Sequence, residues 1–363
     1  MRAVRDHLQL EAEIGGYEAA AAAADAAAAT YADVAALVGA APHNVAIVSS
    51  ATAAFAQALA AFDFELGDVI LTSSSDYVSN QLMFRSLAQR RGVRIRYADD
   101  LPEGGVDPAS VARLLVELRP RLMSLTWIPT NSGLVQLAAD VGSACQHAGV
   151  PFLLDACQAV GQLPVDMARL QCDFLATTAR KFLRGPRGIG ALVVSDAALA
   201  RGAHPLLVDM RGAEWTSPEG FALADGARRF EQWEFPHALL LGMGAAARYA
   251  REVGVERTAR RAHALAAFAR ARLGMIPGVR SLDLGSPLCA IASFALEGRD
   301  AHTVMLALRE RSINTSAQSR GDALLDFDRK GATSSLRVSP HYFNTEAEVM
   351  LLEQALRDHL RSP

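Results

Sequence analysis

Apolar residues along the first part of the chain fall into short blocks rather than one continuous rhythm. VAIVSS at Val45, DVILTS at Asp68, VRIRYA at Val93, LMSLTW at Leu122, PFLLDA at Pro151, DFLATT at Asp173 and IGALVVS at Ile189 are each brief and β-rich. They predict seven strands. Residues 79–91, 107–117 and 135–148 carry helical patterning and are long enough to be crossovers, so the fold class predicted is α/β, with a mostly parallel sheet covered by helices on both faces. After about residue 240 the pattern changes to a long Ala/Arg helix over 239–273, the strand-like LCAIASFAL, a helix from Ala301, the strand-like SLRVSP and a last helix from Thr345. This predicts a smaller α+β domain, with residues 1–235 as an N-terminal helix and large domain and 236–363 as a linking helix and small domain. A chain of 363 residues is long enough for two such units, because single cores stop growing near roughly 250–300 residues.

Charge narrows the function classes. The 36 basic and 39 acidic residues nearly cancel, and the basic ones are dispersed, so no nucleic-acid partner is expected. No membrane span is expected either: Ala19 to Ala29 is broken by Asp25, falls short of the ~20 apolar residues a span needs, and reads as an Ala-rich helix of a soluble protein. The charged opening MRAVRDHLQLEAEIGG does not read as a secretory signal. Cys145, Cys157, Cys172 and Cys289 show neither C-x-x-C spacing nor histidines at ligand intervals, so no metal site and no disulfide framework is expected. They read as buried small hydrophobes of a cytoplasmic protein. Small-molecule chemistry remains.

Lysine is the informative residue. Only Lys181 and Lys330 among the 36 basic positions are lysine; the rest are arginine. A retained lysine is a candidate for work a guanidinium cannot do, and forming an imine requires an amine that can lose its proton. Lys181 is followed by FLRGPRGIG, whose glycines permit a tight turn beside a ligand. Asp155 closes the run PFLLDA, which in an open α/β sheet places its carboxylate at the edge where ligands bind. A carboxylate there can keep a pyridinium nitrogen protonated. The plainer alternative for Asp155 is a helix cap.

With these residues in view, the chain resembles the class V aminotransferase family of fold-type I pyridoxal-phosphate enzymes, which includes cysteine desulfurases, isopenicillin N epimerase and hercynylcysteine sulfoxide lyase. The specific part is DACQAVGQLPVD followed by CDFLATTARKFLRGPRGIG, which resembles the family's D-x-x-Q block and lysine block. The resemblance implies pyridoxal 5'-phosphate held as a Schiff base on Lys181, Asp155 under the pyridine nitrogen and Gln158 donating to the phenolic oxygen. It implies Thr178 and Arg180 at the phosphate, together with Ala51 and Thr52 of SSATAAF, where a helix N-terminus favours an anion. Tyr77 would stack on the ring, or else simply pack at a strand end. Thr130 and Asn131 of IPTNSG would lie near the ring substituents and the substrate. Arg337 of SLRVSP would clamp the α-carboxylate of an amino-acid substrate, or else be an ordinary surface arginine. A homodimer with composite sites is implied too, with RRFEQWEF at the shared edge.

Three departures bear on the reaction. Desulfurases carry a sulfur-accepting cysteine in a loop before this arginine, whereas NTSAQSRGDALLDFDRK contains none and has Ser319 near the place. Trp233 and Glu234 stand where desulfurases bring a Gly-Thr pair across the dimer. Relatives also have an extra segment before the helix resembling LEAEIGGYEAA, so any substrate contacts from it are expected to be missing or to come from elsewhere. The expectation is a C–S lyase acting by β-elimination on a cysteine-derived substrate, with aminotransferase or epimerase activity as the second reading and desulfurase activity behind both.

Overall fold

The computed structural model describes residues 1–361. Three helices open the chain: α1 (Arg2–Ile14), α2 (Gly16–Ala22) and α3 (Ala24–Val38). β1 (Val45–Val48), α4 (Ala51–Leu59), β2 (Val69–Thr72), α5 (Val78–Arg91), β3 (Arg94–Tyr97) and α6 (Pro108–Leu118) follow. Next come β4 (Leu122–Thr126), α7 (Ala138–Ala148), β5 (Phe152–Asp155), α8 (Met167–Leu170), β6 (Phe174–Thr178), β7 (Gly190–Val194) and α9 (Asp196–Ala200). A hairpin, β8 (Ala213–Ser217) and β9 (Gly220–Leu223), precedes α10 (His237–Val253) and α11 (Val255–Leu273). The chain continues through β10 (Val279–Ser281), β11 (Ala292–Leu296), α12 (Ala301–Glu310), β12 (Ser316–Ser319), α13 (Leu324–Lys330), β13 (Ser334–Val338) and α14 (Glu346–Arg361).

All seven expected strands join one sheet in the order β1-β7-β6-β5-β4-β2-β3. Only β7 runs against its neighbours. Strands β2, β4, β5, β6 and β7 are buried throughout, which is why they read as continuous apolar runs rather than alternating ones. Separate apolar clusters cover the two faces, with Val111, Val141 and Leu154 in one and Phe55, Phe84 and Leu153 in the other. Because the other six strands are parallel, the segments after β1, β2, β4, β5 and β6 all emerge at one edge, and this fixes where a ligand can meet several of them at once.

The C-terminal part forms an antiparallel sheet, β10-β11-β13-β12. Four details differ from the sequence expectation. The helix expected over 239–273 is two helices, since Gly254 adopts φ +90 and ends the first. The Ala-rich helix breaks at Ala23, with α2 and α3 bent by 61°. The strand-like LCAIASFAL narrows to β11, while Leu288 makes an isolated bridge to Leu134. The hairpin β8–β9 lacked a signal because most of its residues face solvent and carry no alternation. Among the described residues no single helix is long and apolar enough to cross a membrane; α2 and α3 together pass on length and composition alone. In this fold α3 is held against α10, with the Thr30 hydroxyl facing the Leu240 carbonyl and Asp33 paired to Arg248 and Arg251.

One glycine ties the fold to the turn after β6. Gly161 has φ +94, and a Cβ there would stand 2.4 Å from the Leu183 nitrogen. Gly161→Ala is expected to destabilise the protein by about 2 kcal/mol or more through backbone strain and collision with the turn carrying Lys181. A urea denaturation midpoint equal to the parent's would contradict this.

Candidate active site

At the C-terminal edge of the large sheet a cleft with about 540 Å³ of empty space is lined from five segments. The segment after β1 contributes Ser50, Ala51 and Thr52; the one after β2, Tyr77 and Asn80; β4 and its loop, Thr126, Ile128 and Thr130. β5 and its turn give Asp155, Cys157 and Gln158, and β6 with its turn gives Thr178, Arg180 and Lys181. Nine sequence candidates therefore share one cleft, although they span residues 51 to 181.

Asp155 is buried at the floor and accepts two hydrogen bonds, from Asn80 Nδ2 at 3.0 Å and from the Cys157 N–H at 2.9 Å. Burial raises its carboxyl from the usual 3.8 to about 6, against the lowering effect of those two donors; the nearby Asp76 carboxylate raises it further. Asn80 also donates to Asp76 Oδ1 at 3.0 Å, so its amide bridges two carboxylates. Asp76 in turn accepts from Thr72 Oγ1 at 2.6 Å, from the Tyr77 N–H at 2.8 Å and from the Thr126 hydroxyl. This second layer fixes the backbone at Tyr77, whose ring lines the cleft.

The start of α4 lines the same cleft. Ser50 caps α4 by accepting from the Ala53 N–H at 3.1 Å. The Ala51 and Thr52 N–H groups belong to the first turn and have no carbonyl within the helix to bind. Gly190 lets β7 approach this terminus, since a Cβ there would meet the Thr177 carbonyl at 2.4 Å and the Ala51 nitrogen at 3.2 Å. Thr178 donates its hydroxyl to the Ile189 carbonyl at 3.1 Å, and Arg180 is exposed.

Lys181 stands three residues beyond β6, half-buried. Burial lowers its pKa, the Cys157 and Asp155 anionic forms oppose that, and the Arg337 and Arg180 charges add to it. Gln158 Nε2 donates to Thr130 Oγ1 at 3.3 Å. Arg337 reaches over from β13 and donates from Nη1 to the Thr130 carbonyl at 2.9 Å, while its buried Nε has no partner. Asn131 is buried behind the cleft, and its Nδ2 donates to Asp326 at 2.5 Å.

The sequence reading missed Ser50, Asp76, Asn80, Thr126 and Ile128. The i, i+4 spacing of Asp76 and Asn80 at a helix start was the available signal for that pair. It also grouped Cys157 with the buried thiols; Cys145, Cys172 and Cys289 are buried, whereas Cys157 is partly open and lines the cleft. Burial and Asp155 push its thiol up to about 12, so it is neutral. Trp233 is half-exposed, its N–H bound to Asp209 Oδ1 at 2.7 Å. Among the described residues no group of three His, Cys, Asp or Glu could hold a metal ion.

Comparison with known proteins adds three findings. The profile of the aminotransferase class-V family matches residues 5–352. A protein of Xylella fastidiosa (strain 9a5c) named "probable cysteine desulfurase" is 30% identical over 330 residues, covering 88% of this chain and 77% of that one. Among solved structures, the apo cysteine desulfurase from Thermococcus onnurineus NA1 superposes with a TM-score of 0.89 at 22% identity, covering 100% of this chain and 92% of that one. The cystine C–S lyase C-DES, in complex with its product cysteine persulfide, gives 0.86 at 23%, covering 98% and 93%. At these identities the structural likeness speaks for the fold.

The raised carboxyl of Asp155 makes stability depend on pH. The folded state binds more protons than the unfolded chain between pH 3.8 and about 6, so the cofactor-free protein loses stability as pH rises through that window, by an amount on the order of 3 kcal/mol. Asp155→Asn removes this loss. Urea denaturation from about pH 4 to pH 8 is expected to show the variant gaining on the parent as pH rises; a constant difference would contradict it.

Proposed function

The chain belongs to the aminotransferase class-V family and is an enzyme that uses pyridoxal 5'-phosphate, and on that premise we propose that it is a lyase cleaving the C–S bond of a cysteine-derived amino acid by β-elimination. The residues present fit the cofactor. A carboxylate buried among neutral donors, with no ion-pair partner among the described residues, suits the protonated nitrogen of a pyridine ring. In the same cleft, the open N–H groups of α4 and the exposed Arg180 suit a phosphate. The half-buried amine of Lys181 lines the same cleft.

In this reading Lys181 is the attachment point, Asp155 holds the proton on the ring nitrogen, Gln158 and Thr130 face the ring substituents, and Tyr77 covers a face. Ala51, Thr52, Thr178 and Arg180 bind the phosphate. When bound, the cofactor supplies an electron sink for negative charge at the substrate Cα. Lys181 then takes the Cα proton, a task aided by burial that favours the neutral amine. Arg337 binds the α-carboxylate through the edge carrying its unpartnered Nε. The division at residues 235 and 236 into a cofactor-holding part and a smaller part belongs to the same proposal, with Arg337 as the smaller part's contribution to the site.

The choice of elimination over sulfur transfer to the enzyme rests on one observation. Residues 314–330 contain no cysteine, and they are folded as β12, a short turn of 3₁₀ helix and α13 rather than as an open loop. The one thiol in the cleft, that of Cys157, is neutral and a poor nucleophile. The 30% identical relative named for cysteine desulfuration supports a cysteine-type substrate. A homodimer is part of the proposal, supported by the exposed Leu206, Leu207, Met210, Trp215, Phe221 and Trp233 on one stretch of chain.

Borohydride reduction and peptide mapping are expected to place the pyridoxyl label on Lys181; a label on Lys330 alone would overturn the assignment. Arg337→Ala is expected to raise KM roughly 10- to 100-fold, the loss of one charge-assisted pair of about 1.5–3 kcal/mol. The reaction itself is read by incubating the enzyme with cysteine S-conjugates and their sulfoxides. Pyruvate and ammonia without a keto-acid acceptor support the lyase, whereas amino transfer or Cα inversion without elimination replaces it. Light scattering at micromolar concentration is expected to give twice the 38.7 kDa chain mass.

A further inference from the structure

The turn after β4 is gripped from the C-terminal part at three places within four residues. Arg337 Nη1 donates to the Thr130 carbonyl at 2.9 Å, and Asp326 of α13 accepts from Asn131 Nδ2 at 2.5 Å. The Gly133 N–H donates to Asp283 Oδ1 at 2.8 Å, and Asp283 is itself held by Arg270 Nε at 2.6 Å. Gly133 admits this closeness, since a Cβ there would lie 2.2 Å from Arg270 Nη2 and 2.3 Å from the Ile291 carbonyl.

Asp326 is the unexpected member. It is 2% exposed, and it also accepts from Lys330 Nζ at 2.6 Å, whose side chain is 6% exposed. Arg329 Nη2 approaches its other oxygen at 3.3 Å and reaches on to Asp100, which accepts from Ser74 Oγ at 2.5 Å. A buried ion pair of this kind contributes little net stability compared with apolar residues of the same size. What it supplies is direction: a carboxylate with fixed donors on both oxygens holds the Asn131 amide in one orientation. Asn131 adjoins Thr130, and the Thr130 carbonyl holds one nitrogen of Arg337. That leaves the Nε and Nη2 edge of the guanidinium, the edge that pairs side-on with a carboxylate, without a bond among the described residues.

We propose that Asp326 is a positioning residue for the α-carboxylate subsite: by holding Asn131 it fixes the Thr130 carbonyl, and through it the orientation in which Arg337 presents its free edge. This rests on the reading of Arg337 as the carboxylate ligand. The second lysine of the chain thereby gains a role, since Lys330 neutralises Asp326 and fixes its rotamer from one turn along α13.

Propionate, which has the carboxylate but no amine, is the probe, with its Kd measured by calorimetry on the holoenzyme beside KM and kcat for the substrate. The double variant Asp326→Ala/Lys330→Met removes the grip without stranding an ammonium, and Asn131→Ala removes its other end while leaving the ion pair intact. Both are expected to weaken propionate by at least about tenfold and raise KM by a similar factor, with kcat within about threefold of the parent. Asp326→Asn, which keeps an acceptor for Asn131, is expected to stay within about threefold in all three quantities. If α13 is merely bolted to the sheet, the double variant lowers the denaturation midpoint and leaves propionate binding unchanged, which overturns the proposal. Should the double variant fail to fold, unchanged propionate binding by Asn131→Ala overturns it alone. Arg337→Ala separates the two levels: propionate retained there overturns the carboxylate reading, while propionate lost there but retained in the Asp326 and Asn131 variants overturns only the role of Asp326.

Discussion

The site is organised around a carboxylate buried with no ion-pair partner among the described residues. Taking Asp155 out of water at the end of β5 costs free energy that two neutral donors only partly offset, as its raised pKa records. Polar groups around it hold one another in place. Asn80 needs Asp76 to stay oriented, and Asp76 needs Thr72 and the Tyr77 N–H from its own segment and Thr126 from β4, 50 positions away. A network with every member bonded is rigid, and rigidity is what keeps an unfavourable charge from relaxing into solvent or onto Lys181.

Lys181 and Arg337 complete the same electrostatic arrangement from the other side. Each loses hydration on burial, and the positive charges of Arg337 and Arg180 further favour a neutral Lys181. A lysine is suited to that position because its proton can leave at moderate cost, whereas a guanidinium keeps its charge. Arginine is equally suited to the place of Arg337, where a permanent cation with two edges can bind the Thr130 carbonyl along one and remain open along the other.

The four-stranded sheet matters to the site chiefly through its contacts with the turn at residues 130–133. Arg337, Asp326 and Asp283 come from a strand, a helix and a connecting segment at least 150 positions away in the chain, yet they meet the four residues 130–133 after β4. His341 adds a second tie, since its ring nitrogen is 3.0 Å from the carbonyl of Phe182, the residue after Lys181. The segment that follows Arg337 therefore holds the turn carrying Lys181.

The sequence by itself determined the large sheet, three of its helices, and Asp155 and Lys181 as candidates, because strand burial, strand-end placement and glycine-permitted turns leave marks within a few residues of each other; the other seven cleft residues were expected from the family resemblance alone. Lys181 was legible through the scarcity of lysine, and Asp155 through its position closing an apolar run. The break of the Ala-rich helix at Ala23 and the partial opening of Cys157 were not legible, since nothing in the neighbouring residues distinguishes these positions. Thr126 and Asp326 stayed hidden for a deeper reason. Each takes its role from a partner brought near by packing, such as Asp326 meeting Asn131 across 195 positions of chain. Local propensity encodes where the backbone turns, whereas a directional hydrogen bond between distant buried groups exists only once the two sheets have been packed together.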